Sequence, residues 1–282
     1  MGELFDRQVQ LQMATVVVTG LRVQFKIEKN DQATPSHASI TVWNLARKTR
    51  DTLSRMDVPV ILMAGYGKDI EQIFYGDIAP LGISVVRNGP DWLTTFKAGD
   101  GLKCYQTDRI QMAFPANMSV KDAIGQILQQ VRSADVSKTI ASLKKQAVVG
   151  NFQQLLNSSV ASGRAMDEAN RLANSIGMKA IIIDGEVKLV KQYETSANGE
   201  ESAEIIPYLT PQTGLIGSPE AMGAKKFIKF KCLLRPWIRP TKRVKVAWSI
   251  HPDGMLIHAA RVTHTGDTRG QEWYTEVEGV AL

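Results

Sequence analysis

The sequence lacks the residue patterns that most often indicate catalysis or metal binding. Its 282 residues include two cysteines, Cys104 and Cys232, and neither has a second cysteine or a histidine at metal-ligand spacing. It contains no Walker sequence, no GxSxG elbow, no HExxH and no CxxC pair. A disulfide framework is therefore not expected, although a single bridge between the two cysteines stays open, and so few thiols indicate a reducing compartment.

Long apolar runs and targeting segments are also missing. No apolar run reaches the ~18 residues that a membrane span needs, and MGELFDRQVQLQ has an acid but no apolar core of a secretory signal. The start Met1-Gly2 does not fit myristoylation, because Asp6 stands where that motif has Ser or Thr. We expect synthesis and folding in a cytoplasm, without membrane insertion.

The composition is that of a folded soluble protein. Hydrophobic residues make up 44% and charged residues 22% of the chain, which excludes the low-hydrophobicity class that stays disordered. The net charge of +6 and the pI near 9.2 permit a polyanionic partner without requiring one.

Alternating residues predict strands in the first 110 residues. Leu21, Val23, Phe25 and Ile27 share one face of a run whose other face is polar, and VPVILMAGY fits a strand that is buried on both faces. Turn-forming Gly, Pro and Asn residues separate the runs. Residues 1–110 are therefore predicted to form a small antiparallel β-barrel or sandwich.

Helical periodicity appears in residues 111–195 and predicts an inserted α+β domain. Ser119 followed by Asp122 indicates a capping box, and a second helix from Ala165 ends where Gly177 fits a left-handed cap. Asp184-Gly185 between two apolar runs predicts a hairpin. The pattern assigns no element to residues 132–158.

Four more alternating runs predict a C-terminal β module in residues 196–282, whose strands complete or pack on the first barrel. YLTPQTGLIGSPEAMG has three Gly and two Pro and is predicted as a long ordered loop, and HPDG is predicted as a turn between two strands. The fold class is thus α+β and mainly β.

The segment HTGDTRGQEWYTEVEG concentrates reactive side chains near the C-terminus. His258 and His264 share strand parity and lie about 20 Å apart at ~3.3 Å per residue, so they do not bind one metal ion. No helix follows the glycines, which disfavours a phosphate cradle. The pattern predicts a tight turn at Gly266 and Asp267 and a final strand with Trp273 and Tyr274 on opposite faces.

Residues 224–252 hold nine Lys or Arg, no acid and four interleaved Phe or Trp. Three interpretations stay open: a surface for single-stranded nucleic acid, the solvated or edge-protecting face of strands, and a docking surface for an acidic protein. We expect no catalytic, cofactor or metal residue. The candidates for an assembly interface are Lys225, Lys226, Lys229, Arg235, Trp237, Arg239, Lys242, Arg243, Lys245, Leu215, Ile216 and Trp273.

Several of these segments together resemble bacteriophage tail baseplate hub proteins. LTPQTGLIGSPE, KCLLRPWIRPTKRVKV and IHAARVTHTGDTRGQEWYTEVEGV resemble the end of such hubs, in this order. FKIEKN, SITVWNLARKTRDTL, VILMAGYG and IFYGDI resemble their first domain, and SVKDAIGQILQQV resembles their helical insert. Arg235-Pro236 and Pro240-Thr241 depart from the Asn-Pro and Pro-Gly pairs of the family, so the turn between those strands is not transferred.

The resemblance implies a structural protein without cofactors rather than an enzyme. It implies two tube-like β modules in one chain, and a homotrimer that forms a ring of pseudo-sixfold symmetry with a lumen for DNA. The implied partners are the tail tube protein, the central spike protein, the tape measure protein and, further out, baseplate wedge or sheath-side proteins. The implied location is the tail baseplate of a virion assembled in the bacterial cytoplasm.

Two other functions stay open at this point. Residues 224–252 could bind nucleic acid, which predicts an affinity that falls steeply with salt. A tail-associated cell-wall hydrolase would need paired carboxylates, whereas the acids are scattered and none lies in an apolar run.

Overall fold

The structure is a computed structural model that describes residues 6–13, 15–53, 59–145, 156–191, 206–223 and 227–282. Two compact units are present. Met1–Asp31, Ser36–Gly99 and Thr195–Leu282 form the first, here named the β unit, and Gln32–Pro35 with Asp100–Glu194 form the second, the inserted unit. The predicted division at 1–110, 111–195 and 196–282 stays a prediction.

The N-terminal part of the β unit is built from strands with one buried face. On β3 the apolar residues Val23, Phe25 and Ile27 are buried and the polar residues between them are exposed, as the alternation predicts. The elements are β1 Arg7–Met13, β2 Val16–Val18, β3 Val23–Asn30, β4 His37–Trp43, α1 Arg47–Leu53, β5 Pro59–Tyr66, β6 Asp69–Asn88 and β7 Asp91–Gly99.

The inserted unit follows in the chain. It contains α2 Leu102–Thr107, β8 Arg109–Phe114, α3 Val120–Gln129, α4 Ser137–Lys145, β9 Ser159–Arg164, α5 Ala165–Ser175, β10 Met178–Ile183 and β11 Glu186–Lys191. Helix α4 lies in the stretch to which the sequence assigns no element, and residues 146–155 lie outside the described part of the chain. No helix in the described ranges is long and apolar enough to cross a membrane.

Local signals in the inserted unit are confirmed. The Ser119 hydroxyl accepts a hydrogen bond from the Asp122 amide at 3.0 Å and caps α3, while it donates to the Asp122 carboxylate. Asp184 and Gly185 have φ angles of 56° and 80°, which a type I′ hairpin between β10 and β11 requires.

The C-terminal part of the β unit contains β12 Tyr208–Leu209, a 3₁₀ turn at Pro211–Thr213, β13 Leu215–Met222, β14 Phe227–Leu233, β15 Arg243–Trp248, β16 His251–Asp267 and β17 Trp273–Ala281. Two predictions here were wrong. The predicted loop contains β13, because a register shift between Ile216 and Glu220 accommodates Pro219 on an edge strand. The HPDG turn is strand, since the chain reverses at Ser249 and Ile250.

The strands described in the β unit belong to one 13-stranded sheet. The path runs β13-β14-β17-β16-β3-β4-β7-β6-β5-β1-β2, with β15 on β16 and β12 on β15. Strands β16 and β3 are antiparallel partners over Arg261–Asp267 and Gln24–Asn30. The C-terminal strands therefore join the N-terminal strands through backbone hydrogen bonds.

The sheet repeats one strand order. Strands β3-β4-β7-β6-β5 are neighbours in the same order as β13-β14-β17-β16-β15. In each set the fourth strand along the chain is the longest, with 20 residues in β6 and 17 in β16. Its first part pairs with the preceding strand and its second part with the following one. We name β3–β7 the first repeat and β13–β17 the second repeat.

Separate hydrophobic clusters support the repeats and the inserted unit. The first cluster combines residues of β1–β7 with Leu234 and Trp273 from the C-terminal strands. The second combines residues of β12–β17 with Ile238. The third lies inside the inserted unit, around α3 and α5. The mainly β fold class is confirmed.

Replacing Ser119 by alanine tests the capped helix. Ser119→Ala removes the acceptor for the Asp122 amide, and we expect a loss of about 1 kcal/mol in the free energy of unfolding of the inserted unit. Urea unfolding followed by circular dichroism measures it. Ser119→Thr keeps the hydroxyl and is the control, so an equal loss in both variants would contradict the capping role.

Candidate assembly surface

The turn between β16 and β17 contacts the strands at the N-terminus. The Asp267 carboxylate accepts hydrogen bonds from Arg22 Nε at 3.1 Å and Arg22 Nη2 at 2.7 Å, and from the Arg269 amide at 2.9 Å. We name the contact among Arg7, Arg22, Asp267, Thr268 and Trp273 the repeat junction. The predicted use of Asp267 for local backbone hydrogen bonds is correct, but the predicted position of the turn was wrong, because Gly266 and Asp267 end strand β16 and the turn follows them. The bond to Arg22 adds a connection over most of the chain length.

The charges at the repeat junction stabilise each other. Burial raises the pKa of Asp267, but the hydrogen bond from Arg22 and the amides of Arg269 and Gly270 together hold it below its ordinary value. The same hydrogen bond, which Arg22 donates and Asp267 accepts, raises the pKa of Arg22. Asp267 is therefore ionised and paired at neutral pH, which suits a structural ion pair rather than proton transfer.

Backbone contacts complete the junction. The Thr268 amide donates to the Val23 carbonyl at 3.0 Å, and the Val23 amide donates to Thr268 Oγ1 at 3.0 Å. Arg7 Nη1 donates to the Gly270 carbonyl at 2.7 Å. A Cβ atom on Gly270 would lie 2.5 Å from Asp267 Oδ2, so the turn has no room for a side chain there.

Trp273 fills the centre of the junction. Its side chain is 1% exposed and packs edge-on against Phe25 and Tyr66, with ring centroids 5.6 and 6.3 Å apart. The Arg7 guanidinium lies 5.6 Å from the ring centroid. Trp273 thus stabilises the surface from within and does not present its ring to a partner, while Tyr274 lies on the other face, as predicted.

The histidines of β16 are held by separate contacts. His264 is buried and its Nδ1 lies 2.9 Å from Thr275 Oγ1, while His258 Nε2 lies 4.0 Å from Asp31. The two lie on opposite faces, so the predicted shared parity was wrong. The cause is the register shift between Ala259 and Arg261. Over the ranges that the structure covers, no three His, Cys, Asp or Glu residues are grouped for a metal ion.

The lysines of β14 face acids of the neighbouring strand. Lys231 Nζ lies 3.3 Å from Glu276, and Lys229 Nζ lies 3.8 Å from Glu276 and 4.0 Å from Glu278. Lys231 also lies 4.1 Å above the Tyr274 ring. This part of the basic stretch is therefore compensated within the chain, which favours a solvated strand face over a phosphate-binding surface.

The remaining candidates that the structure describes fall into three groups. Arg235 donates to the Thr213 carbonyl and Arg239 Nη2 to the Gln72 carbonyl at 3.2 Å, so both bind the chain's own backbone. Leu215 is buried and Trp237 is half-buried against the second cluster. The third group is exposed or half-exposed and consists of Lys242, Arg243, Lys245 and Ile216. Lys225 and Lys226 lie outside the described residues.

The sequence did not indicate a second exposed surface, on the hairpin of β6 and β7. Val85 and Trp92 are exposed there, and Val86 is 59% exposed. Strand β6 spans 20 residues, far more than the ~5–6 residues of a common strand, but its sequence does not alternate and is interrupted by Gly and Pro, so it gave no signal of this length. A strand that extends beyond its neighbour β5 leaves part of its edge open.

Asp267→Asn tests the charge at the repeat junction. The variant keeps an acceptor for the Arg269 amide but loses the ion pair. Because Arg22 is 37% exposed, we expect a loss of only about 1–2 kcal/mol at pH 7. The depressed pKa of Asp267 stabilises the fold above the unfolded value of about 3.9, and this stabilisation is lost as the pH falls through the folded pKa.

Urea midpoints at pH 7 and pH 3 measure both effects. The difference between wild type and Asp267→Asn should shrink at pH 3. Glu272→Gln removes an exposed acid from the same turn and should leave the midpoint unchanged. A loss in Asp267→Asn that does not depend on pH would contradict the ion-pair explanation.

Comparison with solved structures relates the fold to phage tails. The tail protein from Neisseria meningitidis MC58 is 11% identical, with 98% of this chain and 97% of that chain covered and a TM-score of 0.61. The 43 kDa tail protein of prophage MuSo2 from Shewanella oneidensis is 10% identical, with 98% of each chain covered and a TM-score of 0.61. At these identities the likeness shows the fold.

A third solved structure comes from E. coli. That protein is a component of the type VI secretion system and exhibits structural similarity to T4 bacteriophage tail proteins gp27 and gp5. It is 13% identical, with 96% of this chain and 76% of that chain covered and a TM-score of 0.57. No curated protein sequence matches the chain.

A family model assigns the chain to a protein family, which the solved structures do not. The model described as baseplate hub gp41 matches residues 7–253, which span strands β1–β7, the inserted unit and strands β13–β15 of the second repeat. The resemblance found in the sequence motifs is thereby confirmed. The chain belongs to the baseplate hub gp41 family of phage tail structural proteins.

Proposed function

We propose that the protein is the hub of a phage baseplate, in which three copies form a ring of pseudo-sixfold symmetry. The strand order repeated in β3–β7 and β13–β17 carries this proposal. Two repeats that lie side by side in one sheet present a similar surface twice. Three chains then supply six such surfaces, which suits a component between a sixfold tube and a threefold spike.

The contact between the repeats is heterologous, and this supports ring closure. Strand β3 of the first repeat pairs with β16 of the second, so two different surfaces meet. A heterologous contact repeated around an axis produces a ring when the rotation closes. The same kind of contact between chains would continue the sheet around a central lumen, through which we propose that DNA passes.

The proposed partners follow from this position in the tail. The tail tube protein would stack on one face of the ring and the central spike protein on the other, with the tape measure protein inside the tube. Wedge or sheath-side proteins would contact the outside. The virion baseplate is the proposed location, after synthesis and assembly in the bacterial cytoplasm.

The proposed role is structural and not enzymatic. Asp267 is paired with Arg22, His264 lies against Thr275, and Lys231 lies between Glu276 and Tyr274. The side chains that suggest chemistry in the sequence are thus engaged in packing and ion pairs. These contacts favour a structural role in an assembly over the binding of a substrate.

Charge reversal of Lys242, Arg243 and Lys245 to Glu tests the basic face of β15. These residues lie on one exposed or half-exposed strand region, and Lys245 Nζ lies 5.8 Å from the Tyr208 ring. If this region contacts a neighbouring copy or the tube, the reversal should shift the mass measured by light scattering from three chains to one. A variant that forms trimers normally would remove this region from the interface.

The control reverses three exposed bases of the inserted unit, Arg109, Arg132 and Lys191. The change in net charge is the same, so general repulsion would affect both variants alike. Adding DNA at low and moderate salt tests the alternative function, nucleic-acid binding. A single chain that binds DNA and releases it as salt rises would favour a nucleic-acid-binding protein over the hub.

A further inference from the structure

The outer edge of β13 and part of one edge of β6 have no partner strand among the described residues of the β unit. Strand β13 pairs with β14 on one side only. Strand β6 pairs with β5 up to Asp77, and beyond that point only with β7. Residues 81–88 of β6 therefore present backbone groups on one side, as β13 does. Such edges are templates for a further strand.

The repeat order relates these two edges to a contact inside the chain. Strand β13 takes the position of β3, and β6 takes the position of β16. Within the chain, β3 pairs with the second part of β16. The two open edges are thus the counterparts of the two edges that are joined at β3 and β16.

We propose that β13 of one copy pairs antiparallel with residues 84–88 of β6 in the next copy, reproducing the contact between β3 and β16. This inference rests on the proposed ring and names the strands that close it. Each copy offers one β13 and one β6, so every copy in a closed ring gains a partner for both edges.

The register of the new pair follows from aligning the repeats. The buried residues Thr94, Phe96 and Ala98 of β7 match Thr275, Val277 and Gly279 of β17. The strand pairings then place Val85 of β6 where His264 stands in β16, and Ala221 of β13 where Ile27 stands in β3. His264 and Ile27 are partners inside the chain, so Val85 is opposite Ala221.

The exposure of apolar side chains at these edges supports the pairing of β13 with β6. In the same alignment Trp92 corresponds to Trp273. Trp273 is 1% exposed at the junction with β3, whereas Trp92 is 42% exposed. Val86 is 59% exposed and Met222 44%, although both lie in strands. Apolar residues at an open edge indicate a surface that another chain covers.

Disulfide trapping of the full-length double variant Val85→Cys, Ala221→Cys tests the pairing. Opposite residues of antiparallel strands have Cα atoms ~4.5–5.5 Å apart, within the range for a disulfide. Both positions are exposed, so neither substitution changes a side chain of a hydrophobic core. The native Cys104 and Cys232 are buried, and burial raises the pKa of Cys232 to about 12, which keeps that thiol unreactive.

With copper-phenanthroline as oxidant, the double variant should form covalent dimers and trimers on non-reducing gels. An equal mixture of the two single variants should stop at dimers, because each chain then carries one new thiol. Val86→Cys with Ala221→Cys is the matched control, since a shift of one residue places the thiols on opposite faces. Cross-linking as strong in this control as in the test pair would overturn the register.

Light scattering on the same samples separates this inference from the ring itself. A mass of three chains with no cross-link between positions 85 and 221 would overturn the strand pairing and leave the hub intact. A mass of one chain at every concentration, with no cross-link, would overturn the proposed ring and the pairing with it.

Discussion

Hydrogen bonding between β3 and β16 is the constraint on which the rest of the β unit depends. A strand edge left in water is a liability, and here two strands from opposite ends of the sequence pair edge to edge. The pairing places the β16–β17 turn beside the N-terminal strands, where Asp267 meets Arg22. Trp273 then enters the first hydrophobic cluster. The residues that look reactive in the sequence are thus concentrated where two repeats must be held in register.

Local patterns predicted the parts of the fold that local physics decides. Alternation identified β3, a hydroxyl before a helix identified the cap at Ser119, and Asp184-Gly185 identified a hairpin. Each depends on residues close together in the chain. Strand β13 was missed, because its Gly and Pro residues argue for a loop and only pairing with β14 makes them a bulged edge.

Prediction of the candidate assembly surface from the sequence met the same limit. Composition marked residues 224–252 as basic, but it did not show that Lys231 faces Glu276 from a strand more than forty residues later in the chain. The shared parity expected for His258 and His264 failed for a related reason, since one bulge moves every following side chain to the other face. Partners and bulges are set by strand pairing at long range, which spacing along the sequence does not describe.

The irregular backbone of β13 has a consequence for the unassembled chain. Pro219 has no amide hydrogen, and the register shift beside it interrupts the row of donors and acceptors. A flat, regular edge would accept almost any extended segment, including those of partly folded chains leaving the ribosome. An interrupted edge accepts few, so a pool of free subunits waiting in a crowded cell is less prone to grow into fibres.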